Sequence, residues 1–77
     1  MKSIQLENKY GETVTITVGD SVGFKCDVEQ YGEVVEINKL RGYEGNGYEL
    51  ILTGNFSGGY IGGRTRTTVF AEDVWTD

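Results

Sequence analysis

The chain has 77 residues, of which 12 are acidic and 7 basic, and its formal net charge is −5. This length accommodates one hydrophobic core, so we predict a single domain spanning residues 1–77. The sequence contains no histidine and one cysteine, which excludes histidine-based catalytic triads, the usual zinc sites and an intramolecular disulfide.

Alternating apolar and polar residues predict two short strands at the start of the chain. Ser3 to Glu7 places isoleucine and leucine on one face, and Thr13 to Val18 alternates threonine with valine and isoleucine. The segment Asn8–Gly11 ends in a glycine and is typical of a turn. Together these segments predict a hairpin with one apolar face.

The next strand is predicted to bury every second residue. It follows a turn at Gly19-Asp20, and its alternating apolar residues are Val22, Phe24 and Cys26. We interpret Cys26 as a buried strand residue, because a nucleophilic thiol needs an activating base.

A loop and a further strand are predicted in the middle of the chain. Tyr31-Gly32 is interpreted as the tightened end of a polar loop, and Glu33 to Lys39 as the strand that follows it. The adjacent valines Val34-Val35 leave the facing of this strand ambiguous, and a β-bulge would resolve it.

The second half of the chain alternates glycine-rich loops with short strands. The predicted elements are a loop at Gly42–Gly47, a strand at Tyr48–Thr53, a flexible stretch at Gly54–Gly63, a strand at about Arg64–Phe70, and one helical turn at Ala71–Trp75. This last turn is expected to return its valine and tryptophan to the core.

Three segments resemble known small barrels. Val18–Val22, followed by Gly32–Ile37, resembles the opening of an SH3-like barrel of the KOW family, in which a GD-x-V strand precedes a G-x-V-x-x-I strand. Val69–Trp75 resembles the end of such barrels. We therefore predict an all-β fold, a small five-stranded SH3-like barrel with a C-terminal helical turn. The resemblance implies binding to nucleic acid or to ribosome- or polymerase-associated assemblies.

The matching region carries acidic residues where modules of that family usually carry basic ones. These acids are Asp27, Glu29, Glu33 and Glu36, with Tyr31 between them. If they share one face, they would meet a basic surface on another protein, since charge complementarity raises association rate and specificity. The other interpretation is a solubilising edge, because charged residues also protect exposed strands from pairing.

A second candidate binding segment is the predicted hairpin from Phe56 to Arg66. It combines Phe56 and Tyr60 with Arg64 and Arg66, which would lie on the same face of a strand. Aromatic residues and arginine are common anchors of protein interfaces and also stack on single-stranded nucleic acid. The other interpretation is that the aromatic residues fold over the barrel mouth and leave the arginines simply exposed.

The functional prediction is a non-catalytic interaction module that binds another protein, with no cofactor and no metal. The carboxylate pairs Asp27/Glu29 and Glu72/Asp73 are interpreted as solvated surface charge rather than as an active site. The alternative is a KOW-like nucleic-acid module that would use Lys39, Arg41, Tyr60, Arg64 and Arg66.

The expected setting is the cytoplasm, without membrane attachment. One cysteine fits a reducing compartment, no apolar run approaches the length of about 20 residues that spans a bilayer, and the charged start of the chain differs from a signal peptide. The compact, acidic, glycine-rich composition also resembles small proteins of bacteriophages and mobile elements. The oligomeric state is not predicted.

Overall fold

The computed structural model describes residues 2–41 and 47–76, which form six strands in two antiparallel sheets. The strands are β1 (Ser3–Glu7), β2 (Thr13–Thr17), β3 (Ser21–Cys26), β4 (Val28–Lys39), β5 (Tyr48–Thr53) and β6 (Arg66–Phe70). β1 pairs with β2, and the other four form a sheet in the order β3-β4-β5-β6. The all-β fold class is thus confirmed.

The predicted five-stranded barrel is wrong in its strand number and in its closure. A closed barrel needs hydrogen bonds between the first and last strands of its sheet, whereas here β3 and β6 are the two edges of an open sheet. β1 and β2 form a separate sheet, and its link to the larger one is the β2–β3 turn, where Gly19 and Asp20 exchange backbone hydrogen bonds with Val34.

The hydrophobic core takes buried side chains from β1 to β5, and the partly buried Val69 of β6 packs against it. Because successive strand residues point to opposite faces, each strand contributes alternate apolar residues. The fully or almost fully buried apolar residues are Ile4, Leu6, Val14, Ile16, Val22, Phe24, Val34, Ile37, Leu50, Leu52, Ile61, Ala71 and Val74. Val74 therefore returns to the core as predicted.

The turn between β3 and β4 lies at Asp27, which has a positive φ of 66°. The prediction of a loop tightened by Tyr31-Gly32 is wrong, because both residues lie inside the long strand β4. The glycine is required there by packing: a Cβ atom at position 32 would lie 2.8 Å from the Cβ atom of Leu52. It therefore allows two neighbouring strands to approach closely and does not mark a turn.

The end of β3 leaves the core at Cys26. Val22 and Phe24 are buried as predicted, but Cys26 is exposed, so its assignment as a buried residue is wrong. Cys26 pairs with Val28 directly beside the turn, and Val28 is itself exposed. The alternation of apolar and polar residues thus continues to the end of β3, whereas the buried part of the strand ends at Phe24.

A β-bulge in β4 resolves the facing of its two adjacent valines, as predicted. The register against β5 shifts between Val34 and Glu36, and Val35 is the extra residue. Val34 and Ile37 both remain buried as a result. The outward face of β4 consequently continues on the far side of the bulge at Glu36.

The last strand and the helical turn after it lie close to their predicted positions. β6 begins at Arg66 rather than at Arg64, and the C-terminal turn is a 3₁₀ helix at Ala71–Asp73.

Positions 42–46 of the predicted loop Gly42–Gly47 lie outside the described residues.

Candidate interaction surface

The outward face of β4 brings together most of the predicted acidic segment. Glu29, Tyr31 and Glu33 alternate with buried residues, so their side chains project from one face, and the bulge keeps Glu36 on that same face. Asp27 lies at the tip of the β3–β4 turn, at one end of this row.

Neutral hydrogen-bond donors hold two of these carboxylates in place. The Tyr31 hydroxyl donates to Oε2 of Glu29 at 2.8 Å, and the Asn38 amide donates to Oε2 of Glu36 at 2.6 Å. Within the part of the chain that the structure describes, the ion pair joins Lys9 to Asp73 and involves neither glutamate. Neither of these carboxylates forms an ion pair among the described residues, although Lys25 lies opposite Glu29 in the β3–β4 register.

Tyr31 and Tyr60 join the two predicted binding segments. They form an isolated antiparallel bridge in which each backbone N–H donates to the other residue's carbonyl oxygen at 2.8 Å. Residues directly opposite each other in such a pair project from the same face. Tyr60 is 52% exposed. The acidic strand and the aromatic loop, predicted as alternatives, therefore form one continuous surface.

Trp75 and Tyr10 extend this surface on the other side of Tyr31. The ring centroids of Tyr31 and Trp75 are 6.3 Å apart, and those of Trp75 and Tyr10 are 5.8 Å apart, both in edge-to-face orientation. We call the four residues Tyr10, Trp75, Tyr31 and Tyr60 the aromatic row. Sequence reasoning missed Tyr10, and it assigned Trp75 to the core, whereas the structure leaves Trp75 half-buried at the surface.

Trp75 takes this position because its backbone adds to the edge of β3. Its N–H donates to the Gly23 carbonyl oxygen at 2.9 Å and its carbonyl oxygen accepts from the Gly23 N–H at 3.0 Å. The only sequence signal for this contact is a glycine in the middle of a strand, which often marks a close approach of another group.

An open groove of about 430 Å³ lies beside the aromatic row. Its lining residues are Tyr10, Glu12, Lys25, Glu29, Trp75 and Thr76. Two carboxylates and one ammonium group thus surround two aromatic rings. The groove belongs to the same surface as the outward face of β4, since Glu29 is part of both.

The arginines of the predicted hairpin have different environments. Nε of Arg64 donates to the Ile61 carbonyl oxygen at 2.8 Å and its Nη2 donates to Oε1 of Gln30 at 3.3 Å. Arg64 therefore fastens the loop to β4. Arg66 is exposed at the start of β6. The prediction that Arg64 and Arg66 lie on the same face of one strand is wrong, because Arg64 precedes β6.

Phe56 lies in the turns that replace the predicted hairpin. It is half-buried, and a Cβ atom at Gly59 would come within 2.5 Å of its ring. Phe56 thus packs within its own loop, and Tyr60 is the more exposed of the two aromatic residues in this segment.

The basic residues of the alternative prediction do not form one patch. Lys39 pairs with Tyr48 at one end of β5, and its ammonium lies 4.7 Å from the Tyr48 ring centroid. Arg66 pairs with Thr53 at the other end of β5. Arg41, which is exposed, follows β4 at the Lys39 end. The basic groups therefore lie at opposite ends of the sheet.

Comparison with known proteins gives no match among family models, curated proteins or solved structures. In the described residues, no group of three or more acidic or cysteine side chains is arranged to hold a metal ion. The same part of the chain contains no helix long and apolar enough to cross a bilayer.

Proposed function

We propose that this protein is a non-catalytic interaction module that binds another protein through the aromatic row and the carboxylates beside it. The observation that carries this proposal is the Tyr31–Tyr60 bridge, which unites an acidic strand and an aromatic loop in one exposed surface. Large aromatic side chains dominate the energetics of many interfaces. A row with two exposed and two half-buried aromatic side chains is expected at a contact surface.

The charge of this surface favours a partner with a basic patch. Glu29, Glu33 and Glu36 project from the same face of β4, and the whole chain carries a net charge of −5. Opposite charges steer association and reject partners of the wrong charge. The acidic, glycine-rich composition further supports a small cytoplasmic protein of phage or accessory type as part of this proposal.

The alternative, a KOW-like nucleic-acid module, has less support from the geometry. Lys39 and Arg66 lie at opposite ends of β5, and Arg64 is engaged by its own loop. A phosphate backbone needs several convergent cations. The same exposed tyrosines would stack on bases, so nucleic acid is retained as an outcome of the test.

The test is affinity capture of the tagged full chain from a bacterial lysate, with and without nuclease, read by mass spectrometry. Tyr60→Ala removes an exposed member of the aromatic row. Phe70→Ala is the matched control, because Phe70 on β6 is 47% exposed against 52% for Tyr60. We expect a nuclease-resistant protein partner that is lost with Tyr60→Ala and retained with Phe70→Ala.

Two results would contradict the proposal. One is capture of ribosomal or polymerase components that disappears after nuclease treatment, which would favour the nucleic-acid module. The other is a partner that both variants retain equally, which would place the contact away from the aromatic row.

A further inference from the structure

We propose that the groove between Tyr10 and Trp75 binds an arginine or lysine side chain of an extended basic peptide segment. This inference rests on the proposed function and specifies the chemistry that the surface recognises. Three features support it: the ring geometry, the carboxylate oxygens that face the groove, and the spacing along the aromatic row.

The aromatic part of the groove suits a cation. Tyr10 is 48% exposed, and its ring meets Trp75 at an interplanar angle of 74°. Cations bind to the electron-rich faces of such rings, and most strongly to tryptophan. The chain already contains an example: Nζ of Lys9 lies 5.5 Å from the Tyr10 ring centroid and 3.5 Å from Oδ1 of Asp73.

The groove offers the same combination of aromatic ring and carboxylate: Lys9 lies over the Tyr10 ring but pairs with Asp73, and the two glutamates of the groove carry no ion pair among the described residues. Glu12 accepts from the Asn8 amide through Oε1 at 3.2 Å, and Glu29 accepts from the Tyr31 hydroxyl through Oε2. Among the described residues, neither forms an ion pair. Each carboxylate is thus oriented by a neutral donor and keeps a second oxygen for a ligand.

Among residues 2–41 and 47–76, Lys25 is the basic residue that lines the groove. It lies directly opposite Glu29 in the β3–β4 register, yet no ion pair joins them. The groove therefore keeps one more negative than positive group. A cationic ligand would be attracted by the two glutamates and repelled by Lys25. Removing the charge of either glutamate should therefore lower the affinity for the ligand, and removing the charge of Lys25 should raise it.

The spacing along the aromatic row favours an extended segment. The centroid separations of 5.8 and 6.3 Å approach the distance of about 6–7 Å between alternate residues of an extended chain. Alternate side chains of one peptide would then meet successive rings. A nucleic acid would bind less well, because its phosphates would be repelled by the carboxylates of Glu12 and Glu29.

The experiment titrates the full chain with a blocked peptide of alternating glycine and arginine, and follows the emission of Trp75, the only tryptophan. A glycine–glutamate peptide and a single-stranded oligothymidine serve as comparison ligands. We expect saturable binding of the basic peptide, weaker at high salt, and no response to the acidic one. Glu12→Gln and Glu29→Gln should each weaken binding about two- to fivefold, and Lys25→Gln should strengthen it by a similar factor.

Glu49→Gln is the matched control, because it removes the same charge from a strand residue on β5 that lies outside the groove and outside the acidic face of β4, and it should leave peptide binding unchanged. The proposal is overturned if the basic peptide gives no response, if Lys25→Gln fails to strengthen its binding, or if oligothymidine binds more tightly. If partner capture still requires Tyr60 under any of these results, the interaction module stands and only the cationic ligand is wrong. If capture is also independent of Tyr60, both proposals fail.

Discussion

A Cβ atom at Gly23 would lie 2.3 Å from the indole nitrogen of Trp75. The tryptophan ring therefore fills the space that any other side chain at position 23 would need. Both backbone hydrogen bonds between the two residues hold the ring over that strand. The position of Trp75 beside Tyr10 and Tyr31 thus depends on the absence of a side chain in the middle of β3.

Gly23→Ala is expected to displace Trp75 and destabilise the fold. Because the added methyl group would overlap the indole ring, the ring has to leave its packed position. We therefore expect a loss of about 1–3 kcal/mol in the free energy of unfolding. Urea denaturation monitored by Trp75 emission measures it. Ser21→Ala, at an exposed position of the same strand, is the control and should change stability little. Equal stability of both variants would contradict the packing described here.

Gly32→Ala tests the assignment of Gly32 to a strand interior. The new Cβ atom would lie 2.8 Å from that of Leu52, so β4 and β5 would have to separate. We expect a destabilisation of about 1–3 kcal/mol, measured by thermal or urea unfolding. If Gly32 were instead a turn residue with open space around it, alanine would cost less than about 1 kcal/mol.

Arg64→Lys and Arg66→Lys should differ in their effect on the free energy of unfolding, although both substitutions keep the positive charge. Lysine cannot reproduce the two donors that Arg64 directs to Ile61 and Gln30. We expect Arg64→Lys to reduce the free energy of unfolding by about 1 kcal/mol and Arg66→Lys to change it by less than about 0.5 kcal/mol. A larger effect at Arg66 would show that the exposed arginine carries a structural contact.

The Cys26 thiol should react with a disulfide reagent such as Ellman's reagent in the native state. Cys26 is exposed beside the Asp27 turn, so access does not require unfolding. We expect complete labelling at a rate close to that of the urea-unfolded chain. Labelling that proceeds only upon unfolding would restore the interpretation of Cys26 as a core residue.

Local periodicity was sufficient to predict most of the strands and the β1–β2 hairpin, which is confirmed, but not the order of the other four strands in their sheet. The alternation of Ile4, Leu6, Val14 and Ile16 with polar residues specifies half-buried strands, and the adjacent valines of β4 indicated its bulge. Gly32 was misread because glycine is both a turn residue and a close-approach residue, and only the position of Leu52 distinguishes the two.

The candidate surface depended on contacts between segments distant in the sequence. Asp27, Glu29, Glu33 and Glu36 could be grouped from the sequence because they occupy neighbouring positions. The pairing of Tyr31 with Tyr60 has no local signature. The predicted burial of Trp75 assumed that a large terminal side chain must enter the core, whereas Val74 takes that position.

Because Trp75 belongs to the edge of β3 and to the aromatic row, binding at the proposed surface would link affinity to thermal stability. Any ligand that contacts the indole ring binds only the state in which residues 74–76 are docked, and therefore raises the melting temperature. Substitutions that loosen that docking lower affinity without touching the ligand. Selection for tighter binding and selection for a more stable chain would then act on the same few residues.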